Sequence, residues 1–402
     1  MCPIKRYLKR VFPAALLLLV VLPYSSLKGQ PQTPYKADTF SVIYNWIAQV
    51  DTALVFSHIR HLQDYQTRDC FTSNAVEAQN WLKAQYEALG LAVELQDFPL
   101  YNDNPSDNVI ATLSGKIYPN EYVVLGGHYD SWASSDFAPG ADDNASGTSG
   151  VLEVARILSQ QKFQRSIIFC AFSAEEYGLA GSDVFVGRCQ QQGKNLLGYI
   201  NMDMIAYHEE GTTMHSDMIN PPGAQSLADF YMSVAGIYRP DFIFDQVAVD
   251  EGNSDHAPFN NWGYQGIFPF EDDELCSPFI HTTGDIAGPS TNSPELARNL
   301  IQCGLAAVAT LAIPYNEVGM QEMPETHLVR HLFPNPAGSF VTIKSEGTEP
   351  ISYQLYSMQG RLLMEGKFSD FVRLDLTDLM PGAYALRLTG RNETETKRLI
   401  IE

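Results

Sequence analysis

The sequence predicts an α/β domain with a mostly parallel or mixed central sheet flanked by helices, followed by a small all-β sandwich. Three observations carry this prediction. Helix-spaced and strand-like apolar segments alternate from about residue 38 to 314; residues 315 to 328 are polar, with Pro324 and no clear periodicity; residues 329 to 402 hold only short alternating segments. With 402 residues, 45% hydrophobic and 18% charged, the chain is long enough for one large domain plus a small one.

Lys5, Arg6, Lys9 and Arg10 precede the apolar run Val11 to Leu22, and Ser25, Ser26 and Gly29 follow it. This is the order of a secretory signal peptide, expected over residues 1–29, because the run is shorter than the ~20 residues that span a bilayer. Ala78, Trp81, Leu82 and Leu89 recur at helical spacing before Gly90, whereas Tyr122 to Leu125 and Ile167 to Phe172 have the β-branched and aromatic character of strands. Ser293 and Pro294 read as a helix N-cap and first position, and Pro314 as the stop. The apolar stretch Leu300 to Ile313 between them reads as a buried core helix.

These signals divide the chain into a large α/β domain over residues 30–314, a linker over 315–328 and a C-terminal domain over 329–402. In the last, Phe340 to Ile343, Ser352 to Tyr356, Arg361 to Met364 and Tyr384 to Leu388 are punctuated by Gly338, Gly347, Gly360, Gly366 and Gly382, as a small immunoglobulin-like sandwich requires.

Twenty-six basic residues against 47 acidic give a formal charge of −21. Loss of residues 1–29 would leave 21 against 47, or −26. Such a surface repels nucleic-acid phosphates, and no nucleic-acid partner is expected. Outside the leader remain Cys70, Cys170, Cys189, Cys276 and Cys303, an odd number without CxxC spacing, so at least one thiol is unpaired and the pairing stays open.

Five segments place carboxylates and imidazoles at predicted strand ends or the loops beyond. They are Gly126 to Ser131 with His128 and Asp130, Pro139 to Gly147 with Asp142 and Asp143, Ser173 to Gly178 with Glu175 and Glu176, Asn201 to Met204 with Asp203, and Phe279 to Thr283 with His281. Imidazole nitrogen mixed with carboxylate oxygen, without thiolate, suits zinc in an open catalytic site. Five ligands hold two metals if one carboxylate bridges them, and Asp142 is assigned the bridge. Asp130, two residues beyond His128, is placed to accept the other imidazole N–H.

The order and surroundings of these residues resemble, over about residues 85 to 313, the zinc aminopeptidases related to bacterial leucyl aminopeptidases, whose sheet core also serves carboxypeptidases and glutaminyl cyclases. The resemblance extends through Ser254-Asp255-His256-Ala257-Pro258-Phe259, Gly263-Tyr264 and Pro269-Phe270-Glu271. It implies two Zn²⁺ ions, with His128 and Asp203 on one, Glu176 and His281 on the other, Asp142 between them and Glu175 as general base. It implies that the Asp255 loop supports the site and that His256 is not a ligand. Met204 and Phe270 align with pocket walls that favour an apolar first residue. One branch of the family carries cysteines bracketing a tyrosine just before the Ser-Asp-His run; Val249 to Asn253 contains none, and Glu251 on that side would favour basic first residues. The expected substrates are peptide or protein N-termini.

Leu332 to Ala337, Tyr353 to Gly360, Leu379 to Tyr384 and Lys397 to Ile401, in order at the C-terminus, resemble the sorting domain of type IX secretion substrates. This implies engagement of that machinery, and export through the periplasm to the surface or exterior of a Gram-negative bacterium. The competing functions are a glutaminyl cyclase on the same core and a noncatalytic surface-binding protein. Glu175-Glu176 followed by Leu179-Ala180-Gly181-Ser182 favours the aminopeptidase, and no arginine for a substrate carboxylate is identifiable, which disfavours a carboxypeptidase.

Overall fold

The computed structural model describes residues 35–249, 252–315, 329–345, 349–357, 361–390 and 394–401. The expected signal peptide, nearly all of the linker, and Glu251 lie outside them. The chain forms two compact units, divided between Asn316 and Glu317.

The first unit is built on an eight-stranded mixed sheet. Its strands are β1 (Ala92–Pro99), β2 (Pro105–Leu113), β3 (Tyr118–His128), β4 (Arg165–Phe172), β5 (Asn195–Asn201), β6 (His215–Asn220), β7 (Ile243–Ala248) and β8 (Gly266–Phe270), in the order β1-β2-β4-β3-β5-β8-β6-β7. The central strands β4, β3, β5 and β8 run parallel, with Leu125 paired to Phe169 on one side and Ile200 on the other. β2 joins β4 antiparallel and β6 joins β8 antiparallel, so the mixed character lies toward the two edges. Residues 166–172 of β4 are all buried, because helices cover both faces.

The helices are α1 (Ser41–Ile47), α2 (Thr52–Gln63), α3 (Ser73–Ala88), α4 (Gly147–Leu158), α5 (Ala180–Gln191), α6 (Gln225–Tyr238), α7 (His256–Asn261) and α8 (Pro294–Ala312). Local chemistry starts and stops them. Asp51 accepts from the N–H groups of Ala53 and Leu54 at the head of α2, Thr72 from Ala75 at the head of α3, and Ser293 from Leu296 at the head of α8. Gly90 leaves α3 at φ 77°. α8 is buried from Asn299 to Ala312, as expected for its apolar stretch, and among the described residues no helix is long and apolar enough to cross a membrane. Cys70, Cys170, Cys189 and Cys303 are free, buried thiols.

The second unit contains two antiparallel sheets. β9 (Val329–Phe333), β10 (Phe340–Ser345) and β13 (Phe371–Asp375) form one, in the order β13-β10-β9; β11 (Ile351–Ser357), β12 (Leu362–Phe368), β14 (Gly382–Thr389) and β15 (Thr394–Ile401) form the other, in the order β12-β11-β14-β15. Val341, Ile343, Leu374, Leu355, Leu386, Leu388 and Leu399 bury their side chains in one shared core. Alternation places Tyr384, Leu386 and Leu388 on the same inward face of β14.

Candidate metal centre

The parallel strands deliver the polar motifs to one edge of the sheet. β3 ends on His128, β4 on Phe172 just before Ser173 to Glu176, and β5 on Asn201 two residues before Asp203. A kinked turn at Ala141–Ser146 leads into α4, with Asp143 (φ −104°, ψ 90°) and Asn144 (φ −133°, ψ 50°) outside helical geometry. Glycine makes this convergence possible: a Cβ on either Gly127 or Gly147 would come within 2.1 Å of the Met202 carbonyl oxygen. That same carbonyl accepts from Asn144 Nδ2, whose partner Oδ1 accepts from the N–H groups of Gly147 and Met204.

The result is a chain of alternating imidazoles and carboxylates. His128 Nε2 lies 3.4 Å from Asp203 Oδ1 and 3.3 Å from Asp143 Oδ1, and His281 Nε2 lies 3.2 Å from Asp143 Oδ2 and 2.9 Å from Glu176 Oε2. Burial works against charge on both imidazoles, but the surrounding carboxylates win, raising His128 well above its usual range and His281 to about 11. Asp143, between the two rings, is held below the ordinary carboxylate range by them despite its burial. Glu176 goes the other way, to about 7, through burial and the nearby Asp143 charge.

Asp142, assigned the bridge from sequence, is not in this chain, and Asp143 occupies the position between the two histidines. Asp142 turns behind the turn, where its Oδ1 accepts from the Ala206 N–H. Burial and the neighbouring Asp285 push its carboxyl well above the usual range. The physical reason is the extended backbone at Asp143, which sends consecutive side chains to opposite sides.

Asp130 supports the site more broadly than expected. Its carboxylate lies 3.5 Å from His128 Nδ1, and its two oxygens accept from the backbone N–H groups of Glu175 and Glu176. Ser254 donates to Asp203 Oδ2 at 2.7 Å, and Asn201 Nδ2 donates to Ser254 in turn. Asp255 is buried, and that burial pushes its carboxyl to about 7. His256 packs against the ring of Phe268 and is fully buried; neither ring nitrogen has a hydrogen-bond partner among the described residues, and burial lowers its pKa to about 3.

Two supports were invisible in sequence. Asp285 uses both carboxylate oxygens to accept from the N–H groups of Asp142 and Asp143, across more than 140 residues of chain. Arg68, fully buried, donates to the carbonyls of Leu62, Tyr129, Pro139 and Gly140 and so clamps the segment between His128 and Asp143. No spacing signal points to either; the one available hint was a lone arginine or aspartate flanked by turn residues, which is too common to use.

The centre opens on a cavity of about 340 Å³. Asp143, Glu175, Glu176, Asp203 and His281 form its polar floor, while Met204, Phe268, Phe270 and Ile280 supply apolar wall. Burial, with Glu176, Asp255 and Asp203 adding to it and His128 opposing, raises the Glu175 carboxyl well above its usual range. Ala174, Leu179, Met204 and His281 all adopt positive φ around this cavity, a concentration of strained backbone where side chains are aimed most tightly.

The residues fit zinc by two tests. Glu176 Oε1 and Asp203 Oδ1 are buried and accept no hydrogen bond among the described residues, a cost that coordination would remove. Donor atoms of His128, Asp143 and Glu176, and of His128, Glu175 and Asp203, fall within 4.8 Å of one another, a nitrogen and oxygen set suited to zinc.

Comparison with known proteins agrees with this chemistry. Residues 108–300 match the model described as Peptidase family M28, and residues 331–402 match that of a Secretion system C-terminal sorting domain. A protein named "Probable zinc metalloprotease" from Pyrenophora teres f. teres is 33% identical over 197 residues, 42% of each chain. "Leucine aminopeptidase 1" from Coccidioides posadasii is 31% identical over 253 residues, 56% of this chain and 62% of that one. The chain spans less than two thirds of the length of such curated relatives. LapB from Legionella pneumophila superposes with a TM-score of 0.63 at 26% identity, covering 70% of this chain and 78% of that one. A Bacteroides thetaiotaomicron glutaminyl cyclase shares the fold, with a TM-score of 0.54 at 22% identity over 65% of this chain and 98% of that one.

Proposed function

Taking as premise that residues 108–300 belong to peptidase family M28 and that residues 331–402 are a secretion-system sorting domain, we propose that this chain is an exported di-zinc aminopeptidase. The observation that carries the reading is the placement of Asp143 between two imidazoles, each with its own further carboxylate. His128 and Asp203 would hold one zinc, His281 and Glu176 the other, with Asp143 shared. When bound, zinc supplies Lewis-acid polarisation of the scissile carbonyl and acidifies water.

The chain's own residues do the rest. Glu175 lines the cavity yet, unlike Glu176, forms no ion pair with either histidine, which leaves its carboxylate for proton transfer. It would take the proton of the attacking water and return it to the departing amine nitrogen. Asp130 fixes both the His128 ring and the Glu175-Glu176 backbone, so ligand and base are oriented by one group.

Which end of a peptide enters follows from charge. With Asp143, Glu176 and Asp203 assigned to zinc, Glu175 is the carboxylate left to meet an α-ammonium, and no lysine or arginine lines the cavity among the described residues to hold an α-carboxylate. The apolar wall of Met204, Phe268, Phe270 and Ile280 favours an apolar first side chain. The sorting domain would hand the protein to the type IX machinery, by way of the periplasm, for release or surface display.

The test is mass spectrometry of peptides with free Leu, Ala, Lys and Gln N-termini after incubation with the mature protein, with and without chelator. Chelator-sensitive loss of whole first residues, Leu ahead of Lys, is expected. Loss of ammonia from Gln peptides alone would make the protein a cyclase, and no change would make it a binding protein.

A further inference from the structure

A second imidazole and carboxylate cluster lies at the far edge of the same sheet. β6 and β7 pair in parallel with Asp217 directly opposite Asp245, and His215 precedes Asp217 on the same face of β6. Asp272 joins them from the segment just after β8, whose antiparallel pairing sets Phe270 beside Asp217. His215 Nε2 lies 3.6 Å from Asp272 Oδ2, 3.8 Å from Asp217 Oδ1 and 3.9 Å from Asp245 Oδ2.

Each group is oriented by its other polar atom. His215 Nδ1 lies 3.0 Å from the Thr213 carbonyl, which orients the ring so that Nε2 faces the three carboxylates. Asp217 Oδ2 accepts from the Asp273 N–H, and Asp272 Oδ1 accepts from the N–H groups of Glu274 and Leu275. Asp217 Oδ1, on a side chain only 7% exposed, is aimed at His215 and accepts no hydrogen bond from the other described residues. Directly opposed like charges on neighbouring strands destabilise a sheet, a cost that a divalent cation among the carboxylates removes.

We propose that His215, Asp217 and Asp272, with Asp245 as the exposed fourth ligand, form a structural zinc site separate from the catalytic centre. The imidazole nitrogen argues for zinc over calcium or magnesium. Zinc bonds of about 2.0–2.2 Å set tetrahedral donors roughly 3.3–3.5 Å apart; donor atoms of His215, Asp217 and Asp272 lie within 4.8 Å of one another, so these three would draw closer on binding and the exposed Asp245, 3.9 Å from His215 Nε2, would turn in to join them. The site would pin the edge strand β7 to β6 and to the β8 exit, which carries Phe270 of the cavity wall.

The test is metal analysis of the full mature protein, loaded with Zn²⁺ alone and desalted, for wild type, His215→Gln and Asp245→Asn. Wild type should retain one equivalent more than His215→Gln, with peptidase turnover within twofold, and its Tm should rise further on Zn²⁺ addition. Asp245→Asn, at an exposed position, should bind that equivalent about tenfold more weakly. His281→Ala should keep the extra equivalent while losing metal from the cavity, so the two sites fail independently. Equal zinc content and equal Tm response in wild type, His215→Gln and Asp245→Asn would overturn the proposal, leaving His215 as an imidazolium among carboxylates.

Discussion

Asp142 and Asp143 are neighbours in the chain, both buried, and they face two different regions. On the cavity side, two imidazoles hold Asp143 in its charged form. Behind the turn, Asp142 sits beside Asp285 and Glu271 with no ion pair among the described residues, and both its carboxyl and that of Glu271 rise well above the usual range because burial and like charge act together. Glu271 meanwhile accepts from the Tyr207 and Ser277 N–H groups, tying the β8 exit to the loop after β5. The difference teaches that two adjacent aspartates can be placed in opposite fields, one where imidazoles favour its charge and one where burial and a neighbouring carboxylate oppose it.

The sharpest way to break this comparison is to neutralise each aspartate in turn. Asp143→Asn is expected to cost roughly a thousandfold in kcat/KM and to release zinc, since it removes the shared charge. Asp142→Asn should keep metal content and stay within about tenfold in activity, because burial and Asp285 already disfavour its charged form. Equal zinc loss in both variants, measured by metal analysis, would invert the assignment of the two residues. Next in size, Glu175→Gln should retain zinc and fold while turnover falls about 10²–10⁴-fold. Near wild-type turnover would take the proton-transfer role from Glu175.

Asp285→Ala probes the strut beneath both aspartates. Leaving two buried N–H groups unpaired should cost about 1–3 kcal/mol for each in a denaturant titration, with a smaller loss of activity. An unchanged midpoint would mean that Asp285 supports nothing.

The smallest effect is expected at His256, the uncharged imidazole behind the cavity. Its folded pKa of about 3 lies below the ordinary 6.5, so the unfolded chain takes up a proton that the folded one refuses. Its contribution is therefore fully present above pH 6.5 and is lost as pH falls toward 3, at up to about 1.4 kcal/mol per unit. His256→Leu should flatten that acid limb relative to wild type in urea titrations from pH 7 to 4. Parallel pH profiles would show that His256 is protonated through some other arrangement.

Much of the first unit was legible because its signals are local. Ser293-Pro294 caps α8, the runs at 122–125 and 167–172 are strands, and His128, Glu176, Asp203 and His281 lie on the segments that the strand ends expose. Which of two adjacent aspartates faces the histidines was not legible, since it depends on two backbone angles at Asp143 rather than on composition. Arg68 and Asp285 were not legible either, because their partners are backbone groups brought close only by folding.

By itself, the sequence determined the order of elements, the two-unit division and the inventory of nitrogen and oxygen donors, all of which follow from periodicity, capping and residue chemistry over short stretches. Only the tertiary structure decided that Asp143 lies between two imidazoles, that Asp142 turns behind them, and that His215 meets Asp217 of its own strand, Asp245 of β7 and Asp272 beyond β8. Those outcomes depend on burial and on distances between residues far apart in the chain, and neither exists until the sheet has closed.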